Sequence, residues 1–576
     1  LYKEIFDMNY VSPVKDTKFV LENLLNNPSA IENDLMNSIL EEAGKLANEN
    51  LAPLNHEGDK NPPKLRQDNE VETSPGFKNA FKKIASGGWI GVSSNPDYDG
   101  MGLPFRMAAA VSEYWQGANM SFALCNLLSQ GLIDALTLVG TDKEKELYLP
   151  KLINGSWTGT MNLTEPQSGT DLSTIKTKAI NDGKNWRIKG QKIYITYGEH
   201  DFSENIIHLV LAKTEGAPDG IKGISTFIIP KYLINEDGSL GERNDLKCIS
   251  LEHKLGIKAS PTAVMSYGDD KEGAIGYMLG EEGKGIEYMF IMMNRARFDV
   301  GLQGMAIAET ARQKAIQYAK TRVQGIPLNK TKGTPIIGHG DVKRQLLIMR
   351  SLTEAMRALI LVSAEIMEEA EIEKSKMNLE AFLIPIIKGW CTELAQEVTS
   401  LGVQIHGGMG YIEETGAAQI MRDARILPIY EGTNAIQAND LMFRKTLKDS
   451  GETAQQILTI IKDEVQSDGE ILQAVYKCEE VLGFILNNRD DKEALSCISY
   501  DFMMGFGYLI GAWLMQKSKI KAEEKINNQN EDTNFLMSKI ISSNFYNKHI
   551  LPRCFGHFDI VLDGSKIISE TEEEFV

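Results

Sequence analysis

The run Leu427-Pro428-Ile429-Tyr430-Glu431-Gly432-Thr433-Asn434 sets one carboxylate between an aromatic and a glycine, shortly after the basic, polar stretch Met421-Arg422-Asp423-Ala424-Arg425. Apolar neighbours shield Glu431 from water, which raises its pKa and makes it a proton acceptor usable near neutrality. Gly432 lets the backbone come close to a bound molecule. Thr433 or Asn434 suits the cap of a following helix, whose first N–H groups attract anions. A Tyr-Glu-Gly triplet by itself is more often a turn with a solvated glutamate. Its meaning depends on four other segments: Met161-Asn162-Leu163-Thr164-Glu165-Pro166-Gln167-Ser168-Gly169-Thr170-Asp171, Gly190-Gln191-Lys192-Ile193-Tyr194-Ile195-Thr196, Arg322-Val323-Gln324-Gly325 and Gln404-Ile405-His406-Gly407-Gly408-Met409-Gly410-Tyr411.

The elements that must position these segments follow from periodicity. Residues from about 15 to 150 read as helices, with Leu21, Leu24, Leu25 and then Leu35, Ile39, Ala43, Leu46 at helical spacing. Asp59 to Ser74 reads as a loop, and an apolar helix is expected from Met107 to Leu128. Short β-rich runs then alternate with turns: Thr177–Ile180, Trp186–Tyr197, Ile206–Ala212, Ile224–Pro230 and Ala263–Tyr267, an antiparallel β-domain. Helical periodicity returns in Val300–Arg322, Asp341–Glu373 and Leu379–Leu401, and a last helical segment runs from Ser450 to about Ile541 with a polar break at Asn527–Asp532. The expected domains are an N-terminal extension over 1–35, a helical domain over 36–157, the β-domain over 158–280, a helical bundle carrying Glu431 over 281–449, and a further helical domain over 450–576.

Composition narrows the function classes. A net charge of −18 argues against nucleic-acid and anionic-membrane partners, which need clustered Lys and Arg. No run of roughly 18 or more apolar residues is evident, so no membrane span is expected. The first ten residues lack the basic region and apolar run of a signal peptide, and a cytoplasmic protein is expected. Cys125, Cys248, Cys391, Cys478, Cys497 and Cys554 are scattered singly, the pattern of reduced thiols and not of a zinc site or disulfide frame. H-E-x-x-H, strand-linked G-x-G-x-x-G and G-x-x-x-x-G-K-[ST] are absent, so no metal site is expected.

In order, type and approximate spacing, the five segments resemble the acyl-CoA dehydrogenase flavoproteins, over about residues 80 to 447. The resemblance implies an α+β multidomain fold: an N-terminal α-helical domain, a central antiparallel β-domain and a C-terminal four-helix bundle, here with an extra helical domain. It implies FAD as cofactor and an acyl-CoA thioester as substrate, with Glu431 as the α-proton base. Met161, Leu163 and Thr164 would lie at the flavin, Gly169 and Thr170 at the flavin phosphate or the CoA pantetheine, and Tyr194 and Thr196 beside the ring. Arg322 and Gln324 would reach the flavin pyrophosphate of a neighbouring subunit, and Gln404, Gly407 and Gly408 its adenosine. Thr433 matches a flavin-phosphate contact, Arg297 a position at the nucleotide end of CoA, and Tyr430 and Gly432 a wall of the substrate pocket. Two departures stand out: Arg322-Val323-Gln324-Gly325 lacks the phenylalanine of the usual R-x-x-F-G, and Ala435 occupies a place where relatives often carry glutamine. His406 is not expected to be catalytic, because no carboxylate partner lies in its motif.

The extension Tyr10-Val11-Ser12-Pro13-Val14-Lys15-Asp16-Thr17-Lys18-Phe19-Val20 and the helices after Ser450 resemble a larger bacterial subgroup. Its best-known activity is oxidation of 3-methylmercaptopropionyl-CoA in the demethylation route for dimethylsulfoniopropionate. A general short- or medium-chain dehydrogenase is the alternative, with an acyl-CoA oxidase or a DNA-associated relative behind it. The resemblance also implies an electron-transfer flavoprotein as electron acceptor and a homodimer or homotetramer.

Overall fold

The computed structural model describes residues 10–465, 469–528 and 532–576. The first nine residues of the expected extension and residues 529–531 of the expected polar break lie outside them. The chain forms two compact units, neither contiguous in sequence: a bundle unit (Leu1–Lys45, Pro104–Gly117, Arg297–Val576) and a sheet unit (Leu46–Leu103, Ala118–Ala296).

The early helices are α1 (Val14–Asn23), α2 (Asn33–Leu46), α3 (Ala52–Lys60), α4 (Phe77–Ser86), α5 (Phe105–Val139) and α6 (Asp142–Ile153). A capping box, Thr141 with Glu144, starts α6. α5 is kinked at Asn119 (φ −161°, ψ 88°), whose Oδ1 accepts from the Phe122 N–H and restarts the helix. By length and composition alone α5 is long and apolar enough to cross a membrane, where no such stretch was expected. Most of its apolar window is buried inside the protein, as in the core helix of a folded domain.

The sheet unit holds β1 (Lys64–Leu65) and β2 (Val71–Glu72), a small hairpin within the stretch expected to be loop. Ten strands follow: β3 (Trp157–Asn162), β4 (Lys178–Asn181), β5 (Trp186–Thr196), β6 (Asn205–Thr214), β7 (Ile224–Pro230), β8 (Tyr232–Ile234), β9 (Leu240–Arg243), β10 (Leu246–Leu251), β11 (Thr262–Tyr267) and β12 (Ala274–Leu279). Eight of them make one sheet in the order β10-β11-β5-β12-β7-β6-β3, with β4 against β5 and β6, while β8 and β9 pair apart. The expectation of an antiparallel sheet holds except that β3 and β4 each pair with β6 in parallel. Its core is built by Ile188, Val210, Phe227, Ile229, Cys248 and Met265. β5 alternates between buried and exposed positions, which is why its pattern is readable; β3 is buried throughout and carries no such alternation.

The bundle unit is built on α7 (Gly285–Thr321), α8 (Gly340–Ile372) and α9 (Met377–His406). The fourth position is broken into α10 (Ala417–Ala424), α11 (Asn434–Asn439) and a π-turn, Asp440–Thr446, all packed on α9. The helices after Ser450 run beyond the expected limit near Ile541: α12 (Glu452–Glu464), α13 (Gly469–Asn487), α14 (Lys492–Asn527), α15 (Thr533–Phe545), α16 (Pro552–Asp563) and α17 (Ser565–Ser569). α14 packs on α8, α9 and α11. The approach is close because Gly507 faces Trp390: a Cβ there would lie 2.4 Å from Trp390 Cγ. A buried ion network completes the unit. Arg357 of α8 bonds Glu113 and Glu309, and Lys539 of α15 bonds Asp16 of α1 and Glu354.

Candidate active site and flavin-facing segments

The break between α10 and α11 carries Glu431. Ile429 and Tyr430 donate their N–H groups to the Ile426 carbonyl, and Asn434 N–H closes the turn on Pro428 O at 3.0 Å. Glu431 (φ 56°) and Gly432 (φ 87°) both take left-handed backbone, a conformation that costs a non-glycine residue energy unless its surroundings impose it. Three side chains do so. Tyr430 donates its hydroxyl to Gln303 Oε1 on α7. Gln437 Nε2 donates to the carbonyls of Glu431 (3.3 Å) and Gly432 (3.1 Å). Asn434 is held by α9, accepting from Lys388 Nζ (2.9 Å) and donating to Glu393 Oε1 (2.7 Å). A Cβ at position 432 would stand 2.8 Å from Gln437 Nε2, so glycine is required for space as well as for φ.

The Glu431 carboxylate is half-buried and accepts no hydrogen bond among the described residues. Burial raises its pKa, opposed by the positive charges of Arg297 and Lys388. The backbone N–H groups of Glu431, Gly432 and Thr433 bond nothing among the described residues, leaving three consecutive donors beside the carboxylate. Thr433 is the residue before α11, as expected of a cap, yet its side chain makes no capping hydrogen bond and is exposed. A carboxylate base next to backbone N–H donors can take a proton from a carbon while a neighbouring carbonyl oxygen gains charge.

Arg297 was expected at the nucleotide end of CoA. It is 4% exposed, so it is no surface arginine. Its Nη1 bonds Asp440 Oδ2 at 3.1 Å and its guanidinium flanks Glu431. Sequence reasoning missed Lys388, Gln303 and Asp440, and took Asn434 only as a possible helix cap. Only Lys388 carried a local signal, as a lysine inside the apolar run Phe382–Cys391 of α9.

Elsewhere in the bundle unit, Arg322 and Gln324 follow the end of α7, and Gln404, Gly407 and Gly408 end α9. The two turns share one end of the bundle, since Tyr318 of α7 stacks on His406 of α9 with ring centroids 4.4 Å apart. Arg322 makes one long side-chain bond, 3.4 Å to Gln324 Oε1. His406 is buried, its Nδ1 bonded to Gly402 O and its Nε2 to nothing among the described residues, and burial lowers its pKa to about 4.

In the sheet unit, Leu163 and Thr164 are tied to β5. Lys192 Nζ donates to Leu163 O (2.9 Å) and Glu165 Oε1 (2.9 Å), and Ile193 N–H donates to Thr164 O (2.9 Å). Opposite β11 the register of β5 slips between Lys192 and Ile195, and Tyr194 in that bulge has φ 60°. The bulge turns Tyr194 outward, 61% exposed, where a regular strand would have packed it. Thr196 is half-buried, Met161 is buried on β3, and Gly169 and Thr170 are exposed.

These residues fit a flavin dinucleotide. An aromatic ring is presented to solvent, and Gly169, Gly407 and Gly408 each leave their Cβ side open, so nothing bars a ligand from their backbone. A guanidinium with little internal engagement and the orphaned His406 Nε2 stand at the same bundle end.

Four family models cover the chain: the acyl-CoA dehydrogenase N-terminal domain over residues 35–156, the middle domain over 160–269, the C-terminal domain over 283–445, and the acetyl-CoA dehydrogenase C-terminal-like model over 451–572. The chain belongs to the acyl-CoA dehydrogenase family. A 3-methylmercaptopropionyl-CoA dehydrogenase of Ruegeria pomeroyi is 44% identical, covering 96% of this chain and 98% of that protein. A broad-specificity linear acyl-CoA dehydrogenase of Mycobacterium tuberculosis is 31% identical over 98% and 99%. An acyl-CoA dehydrogenase from Bacillus anthracis, solved with FAD, shares the fold with a TM-score of 0.73 at 20% identity, covering 99% of this chain and 91% of that one. As an acyl-CoA dehydrogenase, the protein is an FAD-dependent oxidoreductase acting on acyl-CoA thioesters.

Proposed function

We propose that this acyl-CoA dehydrogenase oxidises 3-methylmercaptopropionyl-CoA to 3-methylthioacryloyl-CoA, with Glu431 removing the α-proton. The substrate rests on one observation, the 44% identity to the Ruegeria pomeroyi enzyme along nearly the full length of both chains. A second reading, a general short- or medium-chain dehydrogenase, is favoured by the broad-specificity relative at 31% identity.

Support for the base comes from the break between α10 and α11. The carboxylate of Glu431 is unengaged, its pKa is raised by burial, and its own N–H is free to polarise the thioester carbonyl as the α-carbon loses its proton. Ligand binding expels the remaining water and raises the affinity of Glu431 for that proton further. The positive charges of Arg297 and Lys388 oppose that rise. FAD, when bound, accepts the β-hydrogen as hydride. By the family resemblance, Thr164, Thr170, Tyr194 and Thr196 would be flavin contacts, and Thr433 a flavin-phosphate contact. Arg322, Gln324, Gln404, Gly407 and Gly408 serve the flavin of a second subunit, which makes the enzyme at least a dimer. Electrons leave to an electron-transfer flavoprotein.

Steady-state kinetics with an artificial acceptor test the substrate. The expected kcat/KM for 3-methylmercaptopropionyl-CoA equals or exceeds those for butyryl- to octanoyl-CoA, and a value far below that for butyryl-CoA would overturn the narrower assignment. Glu431→Gln is expected to keep its flavin and lose turnover. Turnover with oxygen alone, as fast as with electron-transfer flavoprotein, would make the enzyme an oxidase.

A further inference from the structure

Lys388 is fully buried at the middle of α9, in a run from Phe382 to Trp390 that carries no other charged or polar side chain, and nothing in the chemistry above uses its amine directly. A buried ammonium is costly unless it is paired or hydrogen-bonded. Among the described residues its amine makes one hydrogen bond, 2.9 Å long, to the amide oxygen of Asn434, the first residue of α11 and three residues past the base. Asn434 in turn donates to Thr392 Oγ1 (3.0 Å) and Glu393 Oε1 (2.7 Å), so the far side of the left-handed turn hangs on α9 through this single side chain.

The charge has a destination as well. Glu431 exerts the largest electrostatic effect on Lys388, and Lys388 is one of two cations acting on Glu431. The other, Arg297, is already engaged by Asp440, with Arg444 a further 3.8 Å from that carboxylate. Glu393 lies on α9 itself, beside Tyr500 of α14. On the base side stand Tyr430, bonded to Gln303, and Asp299 of α7. Lys388 is therefore the cation whose field on Glu431 is least spent on another ion pair.

We propose that Lys388 is a positioning residue for the α-proton base: through Asn434 it fixes the turn that presents Glu431, and its buried charge balances the carboxylate in the resting enzyme. The inference rests on Glu431 being the base. Burial lowers the pKa of Lys388 to about 7, so below that pH its ammonium stands charged and acts on Glu431, whose own pKa burial raises. Without that charge Glu431 binds its proton more tightly, and the acid limb of activity moves to higher pH.

Two measurements on the flavin-loaded enzyme test this. One is the pH profile of kcat/KM; the other is an infrared titration of the protonated carboxyl band that Glu431→Gln removes. In Lys388→Met, both midpoints are expected to rise by about one unit, lowering kcat/KM about tenfold on the acid side while leaving the alkaline side nearer to wild type. The fall should lie in kcat more than in KM, and Lys388→Arg should restore the acid limb. Lys388→Gln, one atom shorter and uncharged but still carrying an N–H donor toward Asn434, decides the matter if the methionine variant does not fold. Midpoints that stay at the wild-type value, with activity lowered evenly at every pH, would overturn the proposal. If Glu431→Gln itself turned over substrate, the base assignment would fail instead, and the two failures are thereby distinct.

Discussion

At the scale of single residues, Glu431 occupies a backbone conformation it would not choose, and its neighbours hold it there. Tyr430 is anchored to Gln303, Gln437 spans two carbonyls, and Asn434 is bound to α9. Tyr430→Phe strips Gln303 Oε1 of this donor in a buried place, and should cost about 1–3 kcal/mol in urea denaturation together with part of kcat. Gly432→Ala puts a Cβ 2.8 Å from Gln437 Nε2 at φ 87°, and should destabilise the holoenzyme by roughly 1–3 kcal/mol, read as a lowered unfolding midpoint. The central triplet was legible because an apolar run, a carboxylate and a glycine are neighbours in sequence. Gln303 and Lys388 were not, since they reach the base across 127 residues to Tyr430 and 46 residues to Asn434. Arg297 was singled out for its position in a motif and found beside a different partner, because a helix's facing is decided by what packs on it.

At the scale of elements, β5 shows how far pattern reading extends. Its alternation was visible, but the bulge that exposes Tyr194 depends on the register against β11 some 70 residues onward, which no local window contains. The same strand is stitched to the Leu163–Thr164 segment by the buried Lys192–Glu165 pair. Glu165→Gln removes one partner of that pair and weakens acceptors for Thr177 and Lys176. The variant should lose about 3–5 kcal/mol of stability and leave purification with less flavin, checked by chemical denaturation and by the ratio of visible to ultraviolet absorbance. Acidity enters through a different carboxyl in the sheet unit. Burial pushes Glu199 up to about 7 although Lys231 donates to it. A carboxyl with a raised folded pKa binds a proton in the native state that the unfolded chain has already released. Its stabilising contribution is therefore complete below the unfolded pKa and is lost as pH rises through about 7. Stability should fall by at most about 1.4 kcal/mol per pH unit in that window, and Glu199→Gln should flatten the slope in denaturation curves taken across it.

At the scale of the whole molecule, the succession helical, β, helical, helical could be read from changes of period, and the helices after Ser450 were expected. The two compact units could not be, since one gathers three separated stretches of chain and the other two. The C-terminal helices cover the bundle and are more than an appendage: Gly507 of α14 meets Trp390, and Ser499 donates to Asn439 at the end of α11. Gly507→Ala should overpack this contact and cost about 1–3 kcal/mol, with a lower Tm as the readout. A chain ended after Lys448 would uncover the faces of α9 and α11 and should aggregate or carry little flavin in size-exclusion runs.

The bond between Asp16 of α1 and Lys539 of α15 joins residues 523 positions apart. A ribosome adding about 5–20 residues each second needs roughly half a minute to two minutes to travel that distance. For all that time α1, with its apolar Phe19, Val20 and Leu21, waits without the element that finally covers Phe19. The stretch that emerges early is thus among the last to settle, and its exposed face is where a nascent-chain chaperone would find a hold.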